Sequence, residues 1–196
     1  MPRKRQKPIE LLSEGELESL LNAPSRRAPT GIRNRAIIAC LAYAGLRVSE
    51  VLALMPRDVD LVKGELNVRR GKGGRQRTAA LMPPAIAILE RWLDKRRELG
   101  VNGHHPVMCT LQGGPLSPRY VQTMLARYAQ RAGIEKRCHP HGLRHWHASQ
   151  LLMRGGMLPD IQQQLGHTDL AITSQYLDSI APAGRVGRLQ ALRWDI

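Results

Sequence analysis

Four short segments carry side chains able to handle an anion or move a proton. Arg47 and Glu50 lie in Gly45-Leu46-Arg47-Val48-Ser49-Glu50, and Lys72 lies in a Gly71-Lys72-Gly73 turn. His141, Arg144 and His145 fall in His141-Gly142-Leu143-Arg144-His145, and His167 follows Leu165-Gly166, nine residues before Tyr176. Each has an ordinary reading when taken alone. Arg47, just past a helix stop, suits the negative end of a helix, with Glu50 as its ion-pair partner. Lys72 is unremarkable in a turn, and Tyr176, four residues after Ile172, suits a core position. His141 and His145 share one helix face, and with Cys138, His139 and His147 nearby they invite a zinc reading. Structural zinc sites draw on two separated ligand pairs at regular spacing, and no second Cys/His pair stands at a fitting distance, so no metal is expected.

The chain as a whole favours an anionic partner. Among 196 residues, 30 Lys and Arg stand against 16 Asp and Glu, a formal net charge of +14. So large an excess points to a polyanion, with nucleic acid first, because Lys and Arg displace the counterions condensed on phosphates. An anionic membrane surface would need a Trp- or Phe-rich apolar face opposite the basic one, and no helix pattern supplies it. No stretch approaches the length of a membrane span, and the basic start is not followed by an apolar signal segment. Cys40, Cys109 and Cys138 form no disulfide framework and suit a reducing compartment. With no Phe, the core must come from Leu, Ile, Val, Ala and Met.

The elements that position these groups are mainly helical. Residues 1–8 form a basic arm. Ser13 to Glu16 reads as a capping box, ahead of an apolar face on Leu17, Leu20 and Leu21. A buried helix is expected from Arg33 to Ala44, stopped by Gly45, and a short one through Val48 to Leu54, ended by Pro56. Strands are expected at Val59–Leu61, Glu65–Arg69 and Arg77–Leu81, the last two joined by the Gly71–Gly74 turn. A helix opens at Pro83-Pro84 and runs to about Leu99; another, capped by Ser117 with Pro118 at its first position, carries Val121, Met124, Leu125 and Tyr128. Further helices are expected at His141–Arg154, at Pro159–Leu165 with Gly166 as its stop, and from Thr168 through Tyr176. The fold class is mainly α with a small antiparallel β-sheet (α+β).

Taken together and in order, the four segments resemble the tyrosine recombinase (phage integrase) family. Gly45 to Glu50 resembles its first box, His141, Arg144 and His145 its second, and Leu165-Gly166-His167 its third. Thr173-Ser174-Gln175-Tyr176 is similar to its nucleophile segment, and Lys72 to its hairpin lysine. The resemblance covers nearly the whole chain, with 9–180 as the catalytic domain and 181–196 as a tail. Gly142 and Trp146 depart from the family, which often has Asp and Thr there; neither is a reacting group. Family members commonly carry an N-terminal helical domain that closes around DNA. Only the arm stands ahead of the catalytic-like region, so the expectation is either a piece of a longer chain or the small fimbrial-switch type.

The resemblance implies a DNA strand transferase whose Tyr176 attacks a phosphodiester to form a 3′-phosphotyrosyl bond. Arg47 and Arg144 would hold the nonbridging oxygens, because guanidinium forks match them. Lys72 would protonate the leaving 5′ oxygen, His141 would accept the tyrosine proton or bind the phosphate, and His167 would donate to a nonbridging oxygen. Glu50 and His145 would orient these groups, and Arg69, Arg70, Arg75 and Arg77 would grip phosphates beside the cut. The covalent bond conserves the phosphodiester energy, so no cofactor, ATP or metal is implied. The expected partner is double-stranded DNA, on which the chain assembles as a dimer to tetramer through its tail while remaining monomeric when free; the expected location is the cytoplasm of a bacterial, archaeal or phage-infected cell. A type IB topoisomerase-like enzyme and a non-catalytic DNA-binding regulator stay open as alternatives.

Overall fold

The computed structural model describes residues 10–69 and 76–166. The arm at 1–8, the turn with Arg70, Lys72 and Arg75, and everything from His167 on, including the expected helix with Tyr176 and the tail, lie outside the described residues.

Helix α1 (Glu14–Asn22) opens with the expected capping box. The Ser13 N–H donates to Glu16 Oε2 at 2.6 Å, and the Glu16 N–H donates to Ser13 Oγ at 3.1 Å. Helix α2 (Pro29–Tyr43) starts four residues earlier than Arg33, because Pro29 supplies the preset φ of a first helical position. Gly31 sits inside the first turn. A Cβ there would come within 2.2 Å of the Ser25 carbonyl oxygen, so glycine lets the α1–α2 loop pack on the helix. Helix α2 is apolar nearly all round and buried from Ile37 to Ala42, the pattern of a central helix.

After α3 (Val48–Ala53) and a single 3-10 turn at Pro56–Asp58 come three strands, β1 (Val59–Asp60), β2 (Glu65–Val68) and β3 (Arg77–Ala80), in the antiparallel order β1-β2-β3. Glu65 pairs with Ala80 and Val68 with Arg77, so Leu66, Val68 and Ala79 face the core. Helix α4 (Pro83–Glu98) lies along α2 and buries Leu89 and Trp92; the Trp92 indole donates to the Val107 carbonyl at 2.8 Å. Helices α5 (Pro118–Arg131), α6 (Pro140–Met153) and α7 (Leu158–Leu165) complete the described part. The Ser117 cap accepts from the Tyr120 N–H at 3.1 Å.

With no phenylalanine to fill space, polar contacts orient parts of the interior. Buried Arg33 donates to the Cys109 carbonyl at 3.0 Å, to Asn34 Oδ1 and to the Tyr120 hydroxyl, while Asn34 Nδ2 donates to the Tyr128 hydroxyl at 3.1 Å. Tyr128 thus lies on the buried stripe of α5 as expected and also pins α5 to α2. The three cysteines are free and buried, and burial pushes the Cys40 thiol up to about 12 and Cys138 to about 11. Among the described residues no helix is long and apolar enough to cross a membrane.

Candidate active site

The site is built at the corner between α2 and α3. Gly45 ends the first of these helices with φ at 61°, the left-handed region that glycine enters without penalty. Side-chain space is closed there as well, since a Cβ on Gly45 would stand 2.4 Å from the His147 ring. The turn delivers Arg47 to the N-cap of α3, and Glu50, one turn in, accepts the Arg47 backbone N–H at 2.8 Å. The bond uses one of the free donors at a helix start.

Glu50 is the hub. Its side chain is 1% exposed, yet it serves three guanidiniums. Arg47 Nη1 donates to Oε1 at 2.8 Å, Arg77 donates through Nη1 and Nη2 to both oxygens at 2.9 Å, and Arg144 Nη1 stands 4.0 Å from Oε2. Burial alone would push this carboxyl up; the bonds from Arg77 and Arg47 outweigh it and hold it below its ordinary value.

Arg47 and Arg144, 97 residues apart, meet at the C-terminal end of α7. Arg144, 2% exposed, donates to the Gly45 carbonyl at 2.6 Å and to the Leu165 carbonyl, and Arg47 Nη2 donates to the Gly166 carbonyl at 3.2 Å. These are carbonyls that a helix leaves without partners, at its negative end, where cations are favoured. Gly166 stops α7 in the left-handed conformation as expected, and a Cβ there would come within 2.9 Å of the Arg77 side chain.

His139 caps α6, its Nδ1 accepting from the Gly142 N–H at 3.1 Å. His141 lies in the first turn, edge-on to His145 with ring centroids 4.0 Å apart. Burial first, then the charges of Arg144, His139 and Arg47, hold His141 below its ordinary value, so the ring is neutral at pH 7. Arg47, His139, His141 and Arg144 line an open cleft of about 670 Å³, together with Gln130 and Lys136. The cleft brings the His141 imidazole together with the guanidiniums of Arg47 and Arg144.

The expected site residues therefore divide. Arg47, Glu50, His141, Arg144 and His145 come together; Lys72, His167, Tyr176, Arg70 and Arg75 lie outside the described residues. Arg77, expected to grip phosphates, is 10% exposed in its side chain and committed to Glu50 and, through Nε, to the Gln164 carbonyl at 3.1 Å. It is a structural brace, because a buried carboxylate needs such a partner. Arg69 is half-exposed and paired with buried Asp58. Among the described residues no group of three His, Cys, Asp or Glu side chains gathers at metal-binding spacing, and His147 turns inward to the Ala42 carbonyl.

Two participants escaped the sequence reading. His147 Nδ1 lies 2.9 Å from the Ala42 carbonyl, and burial lowers its pKa to about 4, so it packs as a neutral wedge under Gly45. Gln164 receives the Ala80 N–H at 2.8 Å and donates to the Ala80 carbonyl at 2.8 Å and the Ala44 carbonyl at 3.0 Å, joining α7 to β3 and to the end of α2. An amide beside Leu165-Gly166 was the available signal, but only the contacts give it meaning.

Comparison with known proteins agrees with this arrangement. The family model described as the phage integrase family matches residues 10–181. The tyrosine recombinase XerC of Xanthomonas campestris pv. campestris is 38% identical over 175 residues, covering 89% of this chain and 53% of that protein. XerD of Ralstonia nicotianae is 38% identical over 167 residues, covering 84% and 54%. The chain thus spans about half the length of the curated relatives it matches. The crystal structure of XerA recombinase superimposes with a TM-score of 0.81 at 30% identity, covering 99% of this chain and 68% of that one. XerH bound to a palindromic difH substrate, a post-cleavage complex, gives 0.75 at 28% identity, covering 95% and 54%. A match across residues 10–181, with two arginines from distant boxes meeting beside a histidine, places this chain in the phage integrase family, as a tyrosine recombinase catalytic domain.

Proposed function

We propose that the chain is the catalytic part of a site-specific DNA recombinase that cuts and rejoins strands through a 3′-phosphotyrosine on Tyr176. The observation that carries this reading is the meeting of Arg47 and Arg144 over the end of α7, one residue before His167. Guanidiniums fixed there oppose the negative charge that develops on a phosphate under attack. In the proposed step the Tyr176 oxygen bonds to phosphorus and the bond to the 5′ oxygen breaks. Neutral His141 takes the phenol proton, Lys72 gives one to the departing 5′ oxygen, and His167 donates to a nonbridging oxygen. Glu50 and His145 hold the arginines and His141 in place. Arg69, Arg70 and Arg75 are the proposed phosphate contacts beside the cut. Rejoining reverses the step with a 5′ hydroxyl as nucleophile, so the phosphodiester energy is kept in the enzyme–DNA bond.

The partner is double-stranded DNA, and the working form is a dimer to tetramer assembled on it, through the tail at 181–196, from free monomers; the setting is the cytoplasm. XerH was captured on its difH substrate before and after cleavage, which supports a DNA partner here. Covalent trapping on nicked duplexes tests the reading. Wild-type protein should give a slow-migrating adduct on a denaturing gel, and Tyr176→Phe should give none. DNA binding by both proteins with no adduct from either would overturn it.

A further inference from the structure

A second basic site lies on the α2–α4 face, away from the catalytic cleft. Arg26 from the loop after α1, Arg35 from α2 and Arg91 from α4 line one open depression of about 240 Å³, floored by Ile32, Ala87 and Ile88. Arg35 precedes the end of α2 by about 12 Å of helix, at 1.5 Å per residue, and the catalytic corner lies beyond that end.

None of the three cations is held in a direct ion pair. Among the described residues no carboxylate pairs with any of them. Glu14 and Glu18 line an adjoining depression that Arg26 and Arg35 also border, but Glu14 pairs with Arg154 and Glu18 with none of the three. The partners that are present are neutral: Arg26 donates to Asn22 Oδ1 at 2.8 Å, and Arg91 donates to the Arg26 carbonyl at 2.8 Å. The Arg35 Nε is shielded from solvent and finds no acceptor among the described residues. Burial, with the Arg26 and Arg91 charges behind it, lowers the Arg35 pKa. Like charges gathered without compensation cost free energy, and a shielded donor without an acceptor adds to that cost. An anion entering the depression relieves both.

We propose that Arg26, Arg35 and Arg91 form a phosphate-binding site for the DNA backbone, separate from the cleft that holds the scissile phosphate. A guanidinium fork fits a phosphodiester in two-point contact. The open shape suits a phosphate carried on a strand rather than an enclosed metabolite, and the apolar floor suits the sugar beside it. The site rests on the reading of this chain as a DNA-binding recombinase and would anchor DNA away from the cut.

The test measures binding of the full chain to fluorescent duplex DNA by anisotropy across a salt series. Wild type, Arg26→Gln/Arg91→Gln, Arg35→Gln and an Arg131→Gln control, on exposed α5 surface, are compared, with circular dichroism as a check on folding. The double variant should bind roughly tenfold more weakly at low salt, with a log–log salt slope shallower by about 1, the signature of one lost phosphate contact. The control should match wild type. At saturating DNA both arginine variants should still form the Tyr176 adduct, since the site anchors and does not react. Should Arg35→Gln unfold, the exposed pair Arg26 and Arg91 carries the test. Unchanged affinity and slope in the double variant would overturn the site while leaving the recombinase reading intact. Failure of wild type to bind DNA would overturn both. Binding of polyglutamate that the double variant loses, with DNA affinity unchanged, would overturn it in favour of an acidic protein partner.

Discussion

Arg77, on the last strand of the sheet, holds both oxygens of Glu50 on α3 at 2.9 Å, across 27 residues of sequence. Strand β3, which follows Lys72 in sequence, is thereby fastened to the carboxylate that fastens Arg47. Breaking a buried pair by removing one partner costs about 3–5 kcal/mol, because the other charge is left stranded. Glu50→Gln should therefore lower the melting temperature by many degrees and slow adduct formation, whereas Arg97→Gln, which removes an exposed ion pair with Asp94, should do neither to a comparable extent. Calorimetry and the trapping assay measure the two effects.

Acid should act through two separable groups. The folded-state value of Glu50 is lowered from 4.5, so its stabilisation is complete above that pH and is lost as pH falls through the lower folded value. His147 works higher up the scale. Its folded value of about 4 against an ordinary 6.5 means that the unfolded chain binds its proton first. Stability is then full above 6.5, declines between 6.5 and about 4, and levels off below; at 1.36 kcal/mol per unit the loss is about 3 kcal/mol. His139 and His141 shift in the same direction and add to the same window. Denaturant melts from pH 7 to pH 4 should show this decline, and His147→Gln should flatten its largest part.

Gly45→Ala should be among the most damaging small substitutions. It forces a side chain into the left-handed region, a cost of about 1–2 kcal/mol, and drives the new methyl into the His147 ring. Pairing it with His147→Ala should relieve the clash and not the backbone strain, so the double variant should lose less than the two singles added together. A double-mutant cycle in urea provides the number.

Arg144→Lys keeps the charge but not the fork that reaches the Gly45 and Leu165 carbonyls together. The adduct rate should fall by about 10²–10³-fold, the usual effect of losing one donor to a developing oxyanion. DNA affinity should fall far less, and single-turnover trapping beside anisotropy separates the two.

Much of this fold announces itself locally. Ser13 with Glu16, Ser117 with Pro118, and the stops at Gly45 and Gly166 are short-range signals, and each marks a helix end in the structure. The start of α2 lies at Pro29 and not at Arg33, and the packing of Ser25 against Gly31 in that first turn is a contact that no local pattern encodes. Arg47, Glu50, His141, Arg144 and His145 were readable as a set through their ordered boxes. The bracing by Arg77, His147 and Gln164 was not, because it depends on partners 17 to 120 residues away that no local pattern encodes. Arg77 shows the limit best: an arginine beside a basic turn reads as a DNA contact until its carboxylate is found.

Scarcity of aromatics leaves the molecule with a convenient optical label. Trp146 follows Arg144 by two residues on α6, is 4% exposed, and stands edge-on to Tyr43 with ring centroids 5.7 Å apart. Its indole N–H finds no acceptor among the described residues, which favours blue-shifted emission. The other tryptophans are Trp92, in the core, and Trp194 near the chain end. A version retaining Trp146 alone would let fluorescence follow the helix that carries Arg144 while substrate arrives.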